Sequence, residues 1–142
     1  MTAPAAVHPA PAARGVAQTA LWFGLFGAPV AWSLQLLASY ALVAHGCYPD
    51  AEPMTMPVVP GLRTLVLGTG VAALALALLA GGSAWRSWRA TQHEHDDGHE
   101  ALLEAGEGRT RFMALAGMML SAVFVLGIVM NVVPLLLLRP CG

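Results

Sequence analysis

Three stretches of this chain, about 19–44, 64–84 and 112–138, contain no Asp, Glu, Lys or Arg and are almost wholly apolar. A helix needs about 20 residues to cross the hydrocarbon core of a bilayer, and each stretch is long enough. In hydrocarbon, every backbone N–H and C=O must find its partner inside its own segment, so each stretch is predicted to be a helix. The chain is therefore read as an all-α integral membrane protein with three transmembrane helices. Composition agrees, with 57% hydrophobic and 11% charged residues, whereas a water-soluble domain carries roughly a quarter of its residues as charged ones. The formal net charge of −1 and the lack of any basic cluster exclude nucleic acid as a partner.

In chain order, residues 1–16 form an Ala/Pro-rich tail with nothing to bury, expected to be disordered, and residues 17–142 form a single transmembrane domain. A cleaved secretory signal is the rival reading of the first apolar stretch. That stretch runs well beyond the ~7–15 residues of a signal core, which favours an uncleaved anchor. The positive-inside rule sets the orientation: with a cytoplasmic N-terminus, Arg14, Arg86, Arg89, Arg109 and Arg111 lie inside, and only Arg63 and Arg139 outside. The C-terminus then lies on the outer, periplasmic face. Trp85 and Trp88 interleave with Arg86 and Arg89, the mixture expected at a headgroup boundary. All seven basic residues are arginine, which with the abundant alanine suggests a GC-rich bacterium and hence its inner membrane, crossed several times.

This topology puts Cys47 and Cys141 on the same outer face. A disulfide joining two parallel helices is chemically allowed in that oxidising compartment. Two unpaired buried thiols are the alternative, since bonding needs Cα atoms within ~7 Å. The outer loop, 45–63, holds four prolines between Tyr48 and Leu62 and is expected to cross in an extended, stiff form. Its Met54 and Met56, near His45 and the cysteines, are soft ligands of the kind that select Cu(I). Methionines packed on apolar surface are the plainer reading. The polar inner loop, 90–110, places His93, His95 and His99 among four carboxylates. These could hold zinc or nickel, but the His-Glu-x-x-His spacing of a catalytic zinc helix is absent. A solvated acidic loop, with a turn or two of helix near its end, is the alternative.

Within the spans, the informative residues are those that lipid does not tolerate. Gln35 and Asn131 fall at matching depth in the first and third helices, where two amides can hydrogen-bond and fix the register of the pair or instead face a cofactor or another subunit. Pro29 and Pro134 each remove a helix donor and are expected to kink their helices. Gly24, Gly27, Gly68, Gly70 and the Gly117-x3-Ser121 pair offer close-approach surfaces, with Trp32 and Ser39 as further packing or partner contacts. No Asp, Glu, Lys or Arg lies within a span, so the marks of a proton relay or voltage sensor are missing. No nucleophile, base and carboxylate fall at one depth either. The chain is accordingly read as non-catalytic, with no resident cofactor predicted apart from the candidate copper donors.

The segments GAPVAWSLQLLASY with Cys47, and MNVVPLLLLRPC at the end, give the chain a resemblance to small three-helix bacterial membrane proteins encoded beside haem-copper cytochrome c oxidase genes. The resemblance covers the first and third helices and rests on Gly27, Pro29, Trp32, Gln35, Tyr40, Asn131, Pro134 and Cys141. It implies an accessory or assembly subunit of a respiratory complex that binds larger subunits through small and polar helix faces. An outer-face copper-handling factor for oxidase maturation, and a small oligomeric transporter or channel component, are the alternatives. The topology has a direct test. Alkaline phosphatase fused after Pro57 or after Gly142 is expected to be active and after Gly98 inactive; the opposite pattern would invert the orientation.

Overall fold

The computed structural model describes residues 17–50, 52, 54–92, 107–138 and 141. The described residues form three helices, α1 (Gln18–Cys47), α2 (Leu62–Gln92) and α3 (Glu107–Leu137), each long and apolar enough to cross a membrane. All three outrun the charge-free stretches that predict them. The excess lies where polar residues continue a helix already started: α2 carries the whole Trp85–Arg89 segment, and α3 begins ahead of Arg109. Both α1 and α3 continue through their internal prolines as single helices. The N-terminal tail and most of the inner loop, including His93, His95 and His99, lie outside the described residues.

The packing is of the kind that helices adopt without a water-driven core. Lipid is as apolar as leucine, so helices associate by close contact of small surfaces rather than by hiding large ones. The buried cluster is accordingly Ala28, Ala31, Ala73, Ala77, Ala80 and Ile128. Large apolar side chains such as Leu37, Leu79 and Val123 point outward, a distribution compatible with lipid contact on the outer surface. On α2 the buried positions Gly70, Ala73, Ala77, Ala80, Ala84 and Ser87 recur every three or four residues and form one face.

The chain runs up, down and up, so α1 and α3 are parallel. At their starting end they meet backbone to backbone: a Cβ added at Gly117 would stand 2.8 Å from the Gly24 carbonyl oxygen. One added at Gly27 would stand 2.8 Å from the Ala80 side chain. Gly68, by contrast, faces open space, so of the expected close-approach glycines it is the one that contacts nothing. At the other end, the Sγ atoms of Cys47 and Cys141 are 2.00 Å apart, a disulfide, with Cα atoms separated by 5.5 Å. Cys47, Leu62 and Val66 form a second buried cluster beneath it.

The loop between α1 and α2 differs from the extended crossing that its prolines predict. The Met54 N–H donates to the Cys47 carbonyl (3.0 Å) and the Val58 N–H to the Gly46 carbonyl (2.9 Å), which folds the loop back over the end of α1. These two donors satisfy carbonyls that a helix terminus otherwise leaves unpaired, and that gain outweighs the preference of prolines for extension. Gly61, with φ of 76°, supplies the left-handed turn into α2. Across the same end, Arg63 Nη2 donates to the Leu136 carbonyl at 3.0 Å, putting a cation on the last turn of α3. Aromatic residues gather at the opposite end, where Trp22 stacks on Phe26, Trp85 meets Trp88, and Arg89 lies 5.0 Å above the Trp85 ring.

This packing makes Gly117 far less replaceable than Gly68. Gly117→Val is expected to lose about 1–3 kcal/mol through overpacking against the α1 backbone, and Gly68→Ala, with open space for its methyl, to gain up to about 1 kcal/mol from the better helix propensity of alanine. Unfolding followed by circular dichroism in mixed micelles reads the difference, and equal stabilities would refute the close α1–α3 contact.

Candidate functional site

The most chemically distinctive place in the structure is a groove between α1 and α3, of about 310 Å³, on the disulfide side of the helix midpoints. Its polar walls are Gln35, Ser39 and Tyr40 from α1 and Asn131 from α3. Leu36, Val43, Val132 and Leu135 supply apolar walls, and the buried Val66 of α2 lies at its base. Its position follows from the packing on either side. Toward the helix starts, Trp32 enters the space between α1 and α3 and meets the Phe124 ring at a centroid distance of 5.3 Å. Toward the disulfide, Val43 and Leu135 close on the cluster around Cys47.

Gln35 is the central residue. It is only 5% exposed, yet its Oε1 has no hydrogen-bond partner among the described residues. The sequence places Gln35 and Asn131 at one depth, and the structure brings both to one groove, but no hydrogen bond joins them. Depth is shared and direction is not. Gln35 turns inward over α2, with its Nε2 3.9 Å from where a Gly70 Cβ would lie, while Asn131 is exposed. Gly70 is also what lets Val132 approach α2: a Cβ there would meet Val132 Cγ2 at 2.7 Å. Leaving a buried amide oxygen unpaired costs about 1–3 kcal/mol, so Gln35 holds an unspent hydrogen-bonding capacity.

Ser39 is tied back into the bundle through Thr69, a residue the sequence reading did not single out. Thr69 donates its hydroxyl to the Val66 carbonyl at 2.8 Å, a local bond within α2. Its single proton being so used, the 3.4 Å contact between Ser39 Oγ and Thr69 Oγ1 has Ser39 as donor. The Ser39 oxygen therefore keeps its lone pairs for the groove. Tyr40, 77% exposed, sets a phenol at the rim. Nothing in the sequence marks Thr69 in so alanine-rich a helix, whereas Tyr40 stands out as a polar aromatic inside a charge-free stretch.

Among the described residues two further buried polar atoms lack partners. Trp32 Nε1 faces the bare backbone at Gly127, where an added Cβ would stand 3.2 Å away. Ser121 Oγ lies against Gly81, whose added Cβ would be 3.2 Å from Ser121 Cβ. Gly117 and Ser121 thus sit inside the bundle, packed against Gly24 and Gly81, whereas Gly68 faces outward. Pro29 and Pro134 lie half-buried and exposed, respectively. The Pro29 carbonyl accepts from Ser33 Oγ at 2.9 Å, and the Pro134 carbonyl from the Leu138 N–H at 2.7 Å.

Of the candidate copper donors, Cys47 and Cys141 are taken up by a disulfide. With Cys47 and Cys141 joined, neither sulfur is a thiolate, which leaves His45, Met54 and Met56, all exposed. No group of three or more His, Cys, Asp or Glu able to hold a metal occurs among the described residues. Compared with protein-family models, curated proteins and solved structures, the chain matches none.

The two serines should respond oppositely to removal of their hydroxyls. Ser121→Ala deletes an unpaired buried oxygen and is expected to stabilise the bundle by up to about 1 kcal/mol. Ser39→Ala breaks an interhelical contact and is expected to cost about 0.6 kcal/mol, the usual size of such bonds in membranes. Paired unfolding curves check the signs; stabilisation in both would remove the Ser39–Thr69 bond from the account.

Proposed function

We propose that this chain is a non-catalytic accessory or assembly subunit of a bacterial respiratory membrane complex, specifically a haem-copper cytochrome c oxidase. It lies in the inner membrane with its N-terminus in the cytoplasm and the disulfide end on the outer face. The observation that carries the reading is the loop folded over α1. It holds Tyr48, Met54, Met56 and Val58 outward at 53%, 45%, 78% and 55% exposure. A surface of exposed apolar side chains, rigidly based and flanking the membrane, is suited to a protein contact. Methionines are adaptable in such contacts because their side chains are flexible and polarisable.

The base of this surface supports the same view. The disulfide, the two backbone bonds from Met54 and Val58, and the Arg63–Leu136 bond all fix one end of the bundle. A partner therefore meets a surface whose ordering cost has already been met on folding, which favours affinity. The resemblance in the first and third helices points to the oxidase as the complex. A copper-handling role draws less support, because the disulfide withdraws both thiolates.

Purification of the tagged chain from its own membranes in mild detergent is expected to recover haem-containing oxidase subunits. Changing Met56 and Val58 together to Glu should cut that recovery at least ten-fold while leaving the disulfide formed on a non-reducing gel. Recovery of the chain without haem protein would end the proposal.

A further inference from the structure

We propose that the groove between α1 and α3 is a binding site for a neutral, lipid-soluble molecule whose polar end carries a hydroxyl or carbonyl oxygen. The inference rests on the three helices spanning a bilayer and not on the identity of any partner complex. Depth, charge and hydrogen-bonding capacity converge on this class.

Depth comes first. At about 1.5 Å per residue, Gln35 lies about 18 Å from the Cys47 end of α1, a helix about 45 Å long, and so within about 5 Å of its middle. The groove extends from there toward the disulfide end, along Val43 and Leu135. Gln35, the inner end of the polar part, is thus placed in hydrocarbon, away from charged phospholipid headgroups, while Tyr40 at the rim lies about 10 Å from the Cys47 end and nearer to them. The lining contains no ionisable group apart from the Tyr40 phenol, so nothing offers a counter-charge to an ionic ligand.

Hydrogen bonding then defines the polar end. Gln35 is 95% buried, as its 5% exposure implies, and none of the described residues satisfies its Oε1. Rotation about the terminal torsion of Gln35 exchanges its amide oxygen and nitrogen, so it can present either toward the groove. Asn131 across the groove offers the same pair of atoms, and the Ser39 oxygen, having donated to Thr69, accepts. A hydroxyl can both donate to and accept from this set, and a carbonyl can accept from the two amides. The apolar remainder of the ligand lies along Leu36, Val43 and Leu135, where α1 and α3 open to lipid. A volume of about 310 Å³ admits one substituted ring or a glycerol unit with the start of its chains. Two sources therefore share the chemistry, a ring-bearing isoprenoid-type molecule or an uncharged acylglycerol.

Trp32 makes the test direct, because it lies three residues before Gln35 on α1 while Trp22, Trp85 and Trp88 lie toward the other end. A chain with Trp22, Trp85 and Trp88 changed to Phe, in phosphatidylcholine nanodiscs, is titrated with decylubiquinone, whose ring quenches indole fluorescence. Saturable quenching of Trp32 is expected, weakened at least ten-fold by Asn131→Leu, an exposed position that folding tolerates. Gln35→Met, of matching length, should weaken it similarly, with the 47–141 disulfide and the helical signal as folding controls. Relief of quenching by dioleoylglycerol identifies the acylglycerol source, and its absence the ring-bearing one. Quenching that rises linearly, or is equal in the original chain and in Asn131→Leu, overturns the proposal. So does pairing of the chain through Asn131 without probe binding, which would make the groove a protein contact.

Discussion

Everything distinctive in this structure depends on the separation of two parallel helices, α1 and α3, which is fixed by different forces along their length. At their starting ends, glycine meets glycine and the backbones touch. At the far ends a covalent bond holds the Cα atoms of Cys47 and Cys141 5.5 Å apart. Between these points the bulk of Trp32 against Phe124 holds the helices apart. A pair pinned at both ends and propped in the middle leaves space on the disulfide side of the prop. The groove around Gln35 occupies that space, so its dimensions are set by residues that do not line it.

The core is built to suit such contacts. Alanine occupies most of its buried positions, and the larger apolar side chains face outward. Each alanine contributes little burial, but the stripe from Ala73 to Ala84 lets α2 lie close to both neighbours, where dispersion acts over many atoms. Unpaired polar atoms are more costly in this setting than in water. Among the described residues three occur, on Trp32 and Gln35 of α1 and on Ser121 of α3, the last where α3 meets Gly81 of α2. Trp32 and Ser121 are enclosed by protein and remain matters of internal packing. Gln35 alone of the three borders the groove.

Much of the architecture was legible because charge is so expensive in hydrocarbon. Uninterrupted charge-free runs marked three helices, and their alternation placed both cysteines at one end, where the structure joins them. The helix ends are less legible, since two arginines break the apolar run in Trp85–Arg89 while α2 continues through them to Gln92. Facing directions were not legible at all. These helices are apolar nearly all round, so no polar side tells inside from outside, and matching depth for Gln35 and Asn131 did not imply matching direction. The loop was misread for a related reason: prolines report local stiffness, but the fold of the loop is decided by open carbonyls at the end of α1 that Met54 and Val58 satisfy.

The disulfide has one more consequence, which concerns connectivity rather than geometry. Its partners are 94 residues apart, so the bond closes the loop over α1, all of α2, the polar connection and α3 into one covalent ring. A protease that cuts this ring once, anywhere between Cys47 and Cys141, opens it without dividing the molecule. All three helices stay tethered until a reductant arrives. A single cut between the cysteines and dismantling of the bundle are thus separate chemical events: one cut releases a helix only together with reduction, whereas freeing α2 without a reductant takes a cut on each side of it.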